Sequence, residues 1–145
     1  MNEDIKPWLN HYPAGLDWDT DIERQPLYET LARTATLRGD HIAVDFLDYC
    51  MTYEELLKQV NRTAKGLQAL GVKKGSRVGL CLPNTPYSVI CYYGVLRAGG
   101  TVVNYNPLYV ERELAFQIED SKTEIMITMD LKILYSKVEV MLSQT

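Results

Sequence analysis

The stretch that decides the fold runs from residue 77 to residue 104, RVGLCLPNTPYSVICYYGVLRAGGTVVN. It opens on Arg77–Leu82, where Val78, Leu80 and Leu82 alternate onto one face, as side chains on a strand do. Pro83-Asn84-Thr85 turns the chain. Pro86–Ala98 then has helical length, with proline in the first turn, where its missing N–H removes no bond. Val89, Ile90, Tyr93, Val95 and Leu96 make this helix apolar nearly all round, so it is predicted to lie between layers. Gly99-Gly100 stops it, and Thr101–Asn104 reads as the next strand.

The same alternation continues downstream. Asn106-Pro107 breaks the strand, and Glu111 to about Glu119 reads as a helix whose first-turn carboxylates suit the helix dipole. Glu124–Met129 is predicted to be a buried strand. From Leu131, the positions Leu134, Tyr135, Val138, Met141 and Leu142 give a last helix, with no glycine or proline stop before Thr145. Strand, helix, strand, helix, strand, helix implies right-handed βαβ crossovers and a parallel sheet covered on both faces, an α/β fold.

Upstream, residues 1–25 carry Pro7, Trp8, Tyr12, Pro13, Gly15 and Trp18, a density of turn residues that predicts an extended lead-in. Its aromatics are expected to fasten it to the domain surface or to a partner subunit. Pro26 opens a helix bearing Leu27, Leu31 and Ala35, which Gly39 closes. Ile42–Leu47 reads as a strand, Asp48-Tyr49 as a turn and Cys50-Met51 as the return. Thr52 and Glu55 have capping-box spacing, each able to bond the other's orphan backbone N–H. Leu56, Val60, Ala64, Leu67 and Leu70 form the buried stripe of the helix that follows, and Gly71 sits at its C′ position. The chain thus divides into a lead-in over 1–25, a helical and hairpin segment over 26–76, and a βαβαβα segment over 77–145.

Composition narrows the function classes. Hydrophobic residues make up 46% of the 145, enough for one ordinary core, and there is no low-complexity tract. A net charge of −4 opposes nucleic acid as a partner, because phosphate binding needs a basic face, and Lys73, Lys74 and Arg77 beside Gly71 and Gly75 read as a solvated loop. Cys50, Cys81 and Cys91 show no C-x-x-C spacing and do not pair with His11 or His41, which suits a reducing cytoplasm rather than a disulfide or zinc framework. The N-terminus lacks the apolar core of a signal peptide, and the longest apolar run, Tyr87–Leu96, is far shorter than the roughly 20 residues of a membrane span. Peripheral membrane association stays open.

No catalytic, cofactor-binding or metal-binding residue is assigned. Neither G-x-x-x-x-G-K-[ST] nor G-x-G-x-x-G occurs. Gly71–Ser76 has phosphate-loop residue types, but it follows a helix and precedes a strand, the reverse of a phosphate loop. Ser121-Lys122-Thr123 is another helix-to-strand connector. There is no G-x-S-x-G, and Asp45 with Asp48, Glu54 with Glu55, and Glu119 with Asp120 read as turn, cap and helix-end carboxylates rather than acid–base couples. Asn84, Asn104 and Asn106 stand near strand C-terminal ends, where doubly wound sheets open a crevice; no ligand role is assigned to them.

Met51-Thr52-Tyr53-Glu54-Glu55-Leu56 resembles the first core motif of adenylate-forming enzymes, and Leu96–Pro107 resembles the second, an L-x-A-G followed by a short strand and N-P. Lys6-Pro7-Trp8-Leu9, Tyr12-Pro13-x-Gly15, Leu82-Pro83-Asn84, Asn106–Tyr109, Arg112-Glu113-Leu114 and Glu119-Asp120-Ser121 are similar to bacterial long-chain fatty-acid–CoA ligases. Tyr105 and Met51 depart from the pattern at positions where smaller or aliphatic residues and leucine are usual. These motifs read physically as scaffold: a cap, tight turns and a strand end.

The resemblance implies a parent that uses ATP, Mg and CoA to adenylate a long-chain fatty acid and pass it to the thiol. The triphosphate-gripping loop, the adenylate-binding acidic motif and the catalytic lysine would then all lie beyond Thr145, and this chain alone would be inactive. It also implies that 26–76 and 77–145 belong to different sheets, which distant segments complete. The uncovered edges and apolar faces would make the isolated chain self-associate or dissolve poorly. Two further readings are a non-catalytic dimerisation or regulatory module on the same scaffold, and a nucleotide-binding oxidoreductase, which the missing glycine fingerprint opposes.

Overall fold

The centre of the molecule is a short parallel sheet, built from the alternation that marks residues 77 to 128 in the sequence. The computed structural model describes residues 6–142. Sequence readings that fall on residues 1–5, on the Met141 side chain and on the stretch after Leu142 lie outside it. In chain order the elements are α1 (Leu27–Arg38), β1 (Ile42–Phe46), β2 (Tyr49–Thr52), α2 (Tyr53–Ala69), β3 (Arg77–Cys81), α3 (Pro86–Ala98), β4 (Thr101–Asn104), α4 (Glu111–Ser121), β5 (Ile125–Thr128) and α5 (Lys132–Leu142). β1 and β2 form an antiparallel hairpin, and the parallel sheet has the order β4-β3-β5.

β3 is paired on both sides, Val78 opposite Val102 and opposite Ile125. On one face Val78, Leu80 and Leu82 pack with Val95 and Ala98 of α3 and with Ala64 and Leu67 of α2. On the other, Cys81 and Tyr105 pack with Leu114 and Ile118 of α4 and Val138 of α5. The sheet is therefore covered on both faces, as the sequence predicts. Val78, Val95 and Leu114 are completely buried, each contributing about 1.5–3 kcal/mol of transfer free energy. β5 is half-buried along its length rather than buried. Like β4, it is an edge strand of the sheet among the described residues.

α2 joins this core to the hairpin. Its capping box forms as the Thr52/Glu55 spacing predicts: Glu55 N–H donates to Thr52 Oγ1 at 3.3 Å, and Thr52 N–H donates to Glu55 Oε2 at 2.9 Å. Leu56 and Val60 pack with Leu31, Met51 and Ile90, while Ala64 and Leu67 reach the parallel sheet. Leu70, read as the end of the buried stripe, is instead 71% exposed, and Val72 is buried in its place. The helix ends before that turn of the stripe is complete. Gly71 adopts φ +93°, its N–H bonds Gln68 O, and Val72 N–H bonds Leu67 O, both at 3.0 Å. This left-handed closure folds Val72, not Leu70, back onto Leu67.

α3 lies against α2 and the sheet, and Gly94 sets how closely. A Cβ there would stand 2.6 Å from Thr63 Cγ2. Ile90, Val95 and Ala98 are buried, and of the rest of the helix Tyr87 alone is exposed.

Two further local readings change. The hairpin turn is Leu47-Asp48, one residue earlier than predicted, with Phe46 paired to Tyr49. Both central residues have positive φ, +48° and +66°, the two-residue geometry that matches strand twist. The lead-in contains a 3-10 turn over Pro7–His11. Its aromatics pack on one another, with Trp18 5.9 Å from Trp8 and 5.7 Å from Tyr12 between ring centroids.

Tyr105, out of place in the sequence pattern, has a compensating partner. Its ring packs over Gly79 of β3, where a Cβ would come within 2.8 Å of Tyr105 Cε2 and of Met126. Its buried hydroxyl is satisfied by Ser121 Oγ at 2.9 Å and Thr123 Oγ1 at 2.7 Å, which are themselves 2.8 Å apart. The Ser121–Thr123 connector thus serves as the polar end of a core aromatic.

Three outcomes follow for chemical or thermal unfolding. Gly79→Ala is expected to cost about 1–3 kcal/mol through overpacking. Most of that cost should disappear in a Tyr105→Val background, so a double-mutant cycle that came out additive would remove the coupling. Thr52→Ala should cost about 0.5–2 kcal/mol through the lost cap. Burial raises the thiol pKa of Cys81 and Cys91. Above pH about 8.5 the unfolded chain therefore loses these protons first, and stability should fall as pH rises; a Cys81→Ala/Cys91→Ala variant should show less of that fall.

Candidate functional site

A broad concavity lies where β3 and β4 end. The loop after β3 leads to α3 on one face, and the loop after β4 leads to α4 on the other. Neighbouring strands whose connections diverge in this way leave an opening beyond their carboxyl ends. Here it is an open cleft of about 1360 Å³. Leu80 and Leu82 line its base, Val89, Tyr92 and Tyr93 of α3 one wall, and Val110, Glu113, Phe116 and Gln117 the other.

Asn84, Asn104 and Asn106, placed by the sequence at strand ends, all line this cleft. The side chain of Asn106 acts on the backbone, while Asn104 takes part through its main-chain carbonyl. Asn106 Oδ1 accepts Leu108 N–H at 3.0 Å, and Asn106 O accepts Tyr109 N–H at 3.0 Å. Asn104 O accepts Gln117 Nε2–H at 2.8 Å. Lys137 of α5 donates to both Pro107 O and Tyr109 O at 2.9 Å. Glu113 closes the start of α4 by accepting Val110 N–H at 3.0 Å. Side chains of two helices therefore hold the 104–110 loop, and with it one rim of the cleft. On the opposite rim Ser88 Oγ donates to Thr85 O at 2.6 Å, fixing the turn into α3.

Sequence reading missed the walls of the cleft and the Lys137 tie. Glu113, Phe116, Gln117 and Asp120 recur at helical spacing and all reach the cleft, a signal the sequence held. The Lys137 tie joins residues 28 and 30 positions apart, and no local pattern reports it.

Chemically the cleft is a mixed apolar and amide surface. Arg112, Glu113 and Asp120 are its charged members. Among the described residues no group of three His, Cys, Asp or Glu side chains is placed to hold a metal ion. The Gly71–Ser76 loop is packed as a connector: Ser76 is buried, its N–H bonds Lys73 O at 3.0 Å, and Thr101 N–H bonds Ser76 O at 2.7 Å. A Cβ on Gly99 would stand 3.3 Å from Lys74 N, so the loop's backbone is occupied by the α3–β4 corner rather than presented to a ligand. No helix among the described residues is long and apolar enough to cross a membrane.

Comparison with known proteins places this geometry. The long-chain-fatty-acid–CoA ligase of Bacillus subtilis is 40% identical over 126 residues, which cover 87% of this chain and 22% of that protein. The chain thus spans about a fifth of the relative's length. The N-terminal domain of FACL13 from Mycobacterium tuberculosis superposes with a TM-score of 0.75 at 27% identity, covering 81% of this chain and 30% of that one. A benzoate CoA ligase from Burkholderia xenovorans superposes with a TM-score of 0.78 at 24% identity, covering 84% and 24%, a likeness of fold. The model of the AMP-binding enzyme family matches residues 31–144, from α1 through α5. With the two core motifs folded as a helix cap and a helix-to-strand corner within that span, this chain belongs to the family of AMP-binding, adenylate-forming enzymes.

Proposed function

We propose that this chain is the N-terminal portion of an ATP-dependent long-chain fatty-acid–CoA ligase and supplies scaffold rather than chemistry. The observation that carries the reading is the 40% identity with a long-chain-fatty-acid–CoA ligase across nearly the whole chain. In the parent reaction a fatty carboxylate attacks the α-phosphorus of ATP, releasing pyrophosphate and leaving an acyl-adenylate. The CoA thiol then attacks the acyl carbon, AMP leaves with the bonding electrons, and the thiol proton passes to solvent or a base.

Of these steps the 145 residues supply the frame. The α3–β4 corner and the tied 104–110 loop fix one edge of the large domain, and a rigid scaffold is what holds reacting groups in register. ATP, Mg and CoA would be held by parts of the parent outside this chain, and the chain alone is inactive.

A second reading is a non-catalytic dimerisation or regulatory module on the same scaffold. It draws on uncovered apolar side chains such as Leu108 and Phe116, which are 86% and 71% exposed.

The isolated chain, given palmitate, Mg·ATP and CoA, should release no pyrophosphate and form no thioester. The reading frame past the Thr145 codon should run into a Thr/Ser/Gly-rich loop ending in lysine. Thioester formation by the chain itself would end the scaffold reading. A stop codon with no such loop in any frame would transfer the case to the module.

A further inference from the structure

α2 carries a buried polar atom that the chain leaves unsatisfied. Two shallow concavities of about 490 Å³ each meet along this helix, and both include Asn61 and Lys65. The side-chain Oδ1 of Asn61 is buried, yet no group among the described residues donates to it. A buried amide oxygen without a donor is costly. A ligand that brings an N–H or O–H to it removes that cost.

Cations flank that oxygen. Lys58, Arg62 and Lys65 are exposed, and their i, i+4, i+7 spacing sets them in one row. Arg97 of α3 lines the second concavity with Lys65, its guanidinium 5.5 Å from the centre of the Tyr28 ring. Among the described residues the sole ion pair is His41–Asp40, so none of the four has a carboxylate partner. Glu54 lines the first concavity and Glu29 the second. They stand at opposite ends, because Glu54 N–H at the start of α2 bonds Gly39 O just past the end of α1, which sets the two helices antiparallel. Carboxylates at the ends and cations between them confine a negative ligand to the middle of the groove. From Glu54 to Gln68 the helix rises about 21 Å, and an extended peptide of six residues spans about 20 Å.

We propose that this groove binds an extended acidic peptide segment of a partner protein. Its carboxylates meet Lys58, Arg62, Lys65 and Arg97, and one of its main-chain N–H groups donates to Asn61 Oδ1. The orphan oxygen selects this class of ligand. Inorganic phosphate and a DNA backbone bring acceptors to the cations but no donor to the amide. A bilayer surface is flat and reaches the exposed cations without reaching the buried oxygen. A peptide carries a donor at nearly every residue between its carboxylates. The site does not depend on the ligase chemistry, so either reading can fail without the other.

The probe is an end-blocked peptide of about eight residues that alternates aspartate and alanine, titrated into the full chain by calorimetry. A peptide with asparagine in place of aspartate is the control. The expected result is saturable binding of the aspartate peptide alone, weakening at least about tenfold from low to high salt as screened charge pairs require. Lys58→Glu/Arg62→Glu, checked for folding by circular dichroism, should abolish it. Asn61→Leu separates binding from folding. Loss of a buried orphan should leave the thermal midpoint unchanged or raised, while peptide binding weakens about tenfold because the incoming N–H then finds no acceptor. A midpoint that falls in Asn61→Leu overturns the proposal, since the oxygen then serves the fold. So does the absence of saturable binding, which is also the result if the chain's own acidic stretch over 17–23 occupies the groove. An equal response to inorganic phosphate or to anionic vesicles overturns it as well.

Discussion

Everything in this structure follows from β3 being hydrogen-bonded on both edges and covered on both faces. A strand in that position has no solvent to satisfy its backbone, so β4 and β5 must pair with it in full register. Its side chains, in turn, require α2 and α3 on one face and α4 and α5 on the other. Where the loops after β3 and β4 part to opposite faces, the described residues leave a cleft between them. The cleft is the remainder of a packing solution, and it falls where strand C-terminal ends gather.

The close crossings that make this packing work are set by absent side chains. Gly94 lets α3 settle against Thr63 of α2, and Gly79 lets the Tyr105 ring approach the central strand closely. The Tyr105 ring in turn needs the Ser121 and Thr123 hydroxyls for its phenol, because a buried hydroxyl without a partner is costly. The chain's departure from its family pattern at Tyr105 is thus absorbed by Gly79 on β3, Ser121 at the end of α4 and Thr123 on the α4–β5 connector. Core and connector are coupled in this chain at a point where the motif alone suggests a simple strand end.

Membership of the AMP-binding enzymes gives the motifs their meaning without giving them chemistry. Thr52 and Glu55 cap a helix, Gly99 and Gly100 turn a corner tightly against the Lys73–Ser76 loop, and Asn106 shapes a loop. Each is explained by an orphan backbone group, a positive φ or, at Gly100, the close approach of Val72 and Val95. A motif can therefore mark a family through the geometry it enforces, at a distance from the reacting atoms.

The sequence by itself determined what local physical chemistry determines. The strand–helix alternation, the capping box, the glycine stops and the shared face of Val78, Leu80 and Leu82 were legible because each rests on period, cap or turn residues a few positions apart. The tertiary structure decided what depends on distant neighbours. Leu70 lost its place to Val72 because the helix closed on Gly71. β5 is half-buried, as an edge strand of the three described ones. The cleft gained its apolar walls and its tied rim from α3, α4 and Lys137, which meet only once the sheet has formed. A residue's own neighbours in sequence fix its backbone; which side chains share a surface is fixed by the packing of elements the sequence keeps far apart.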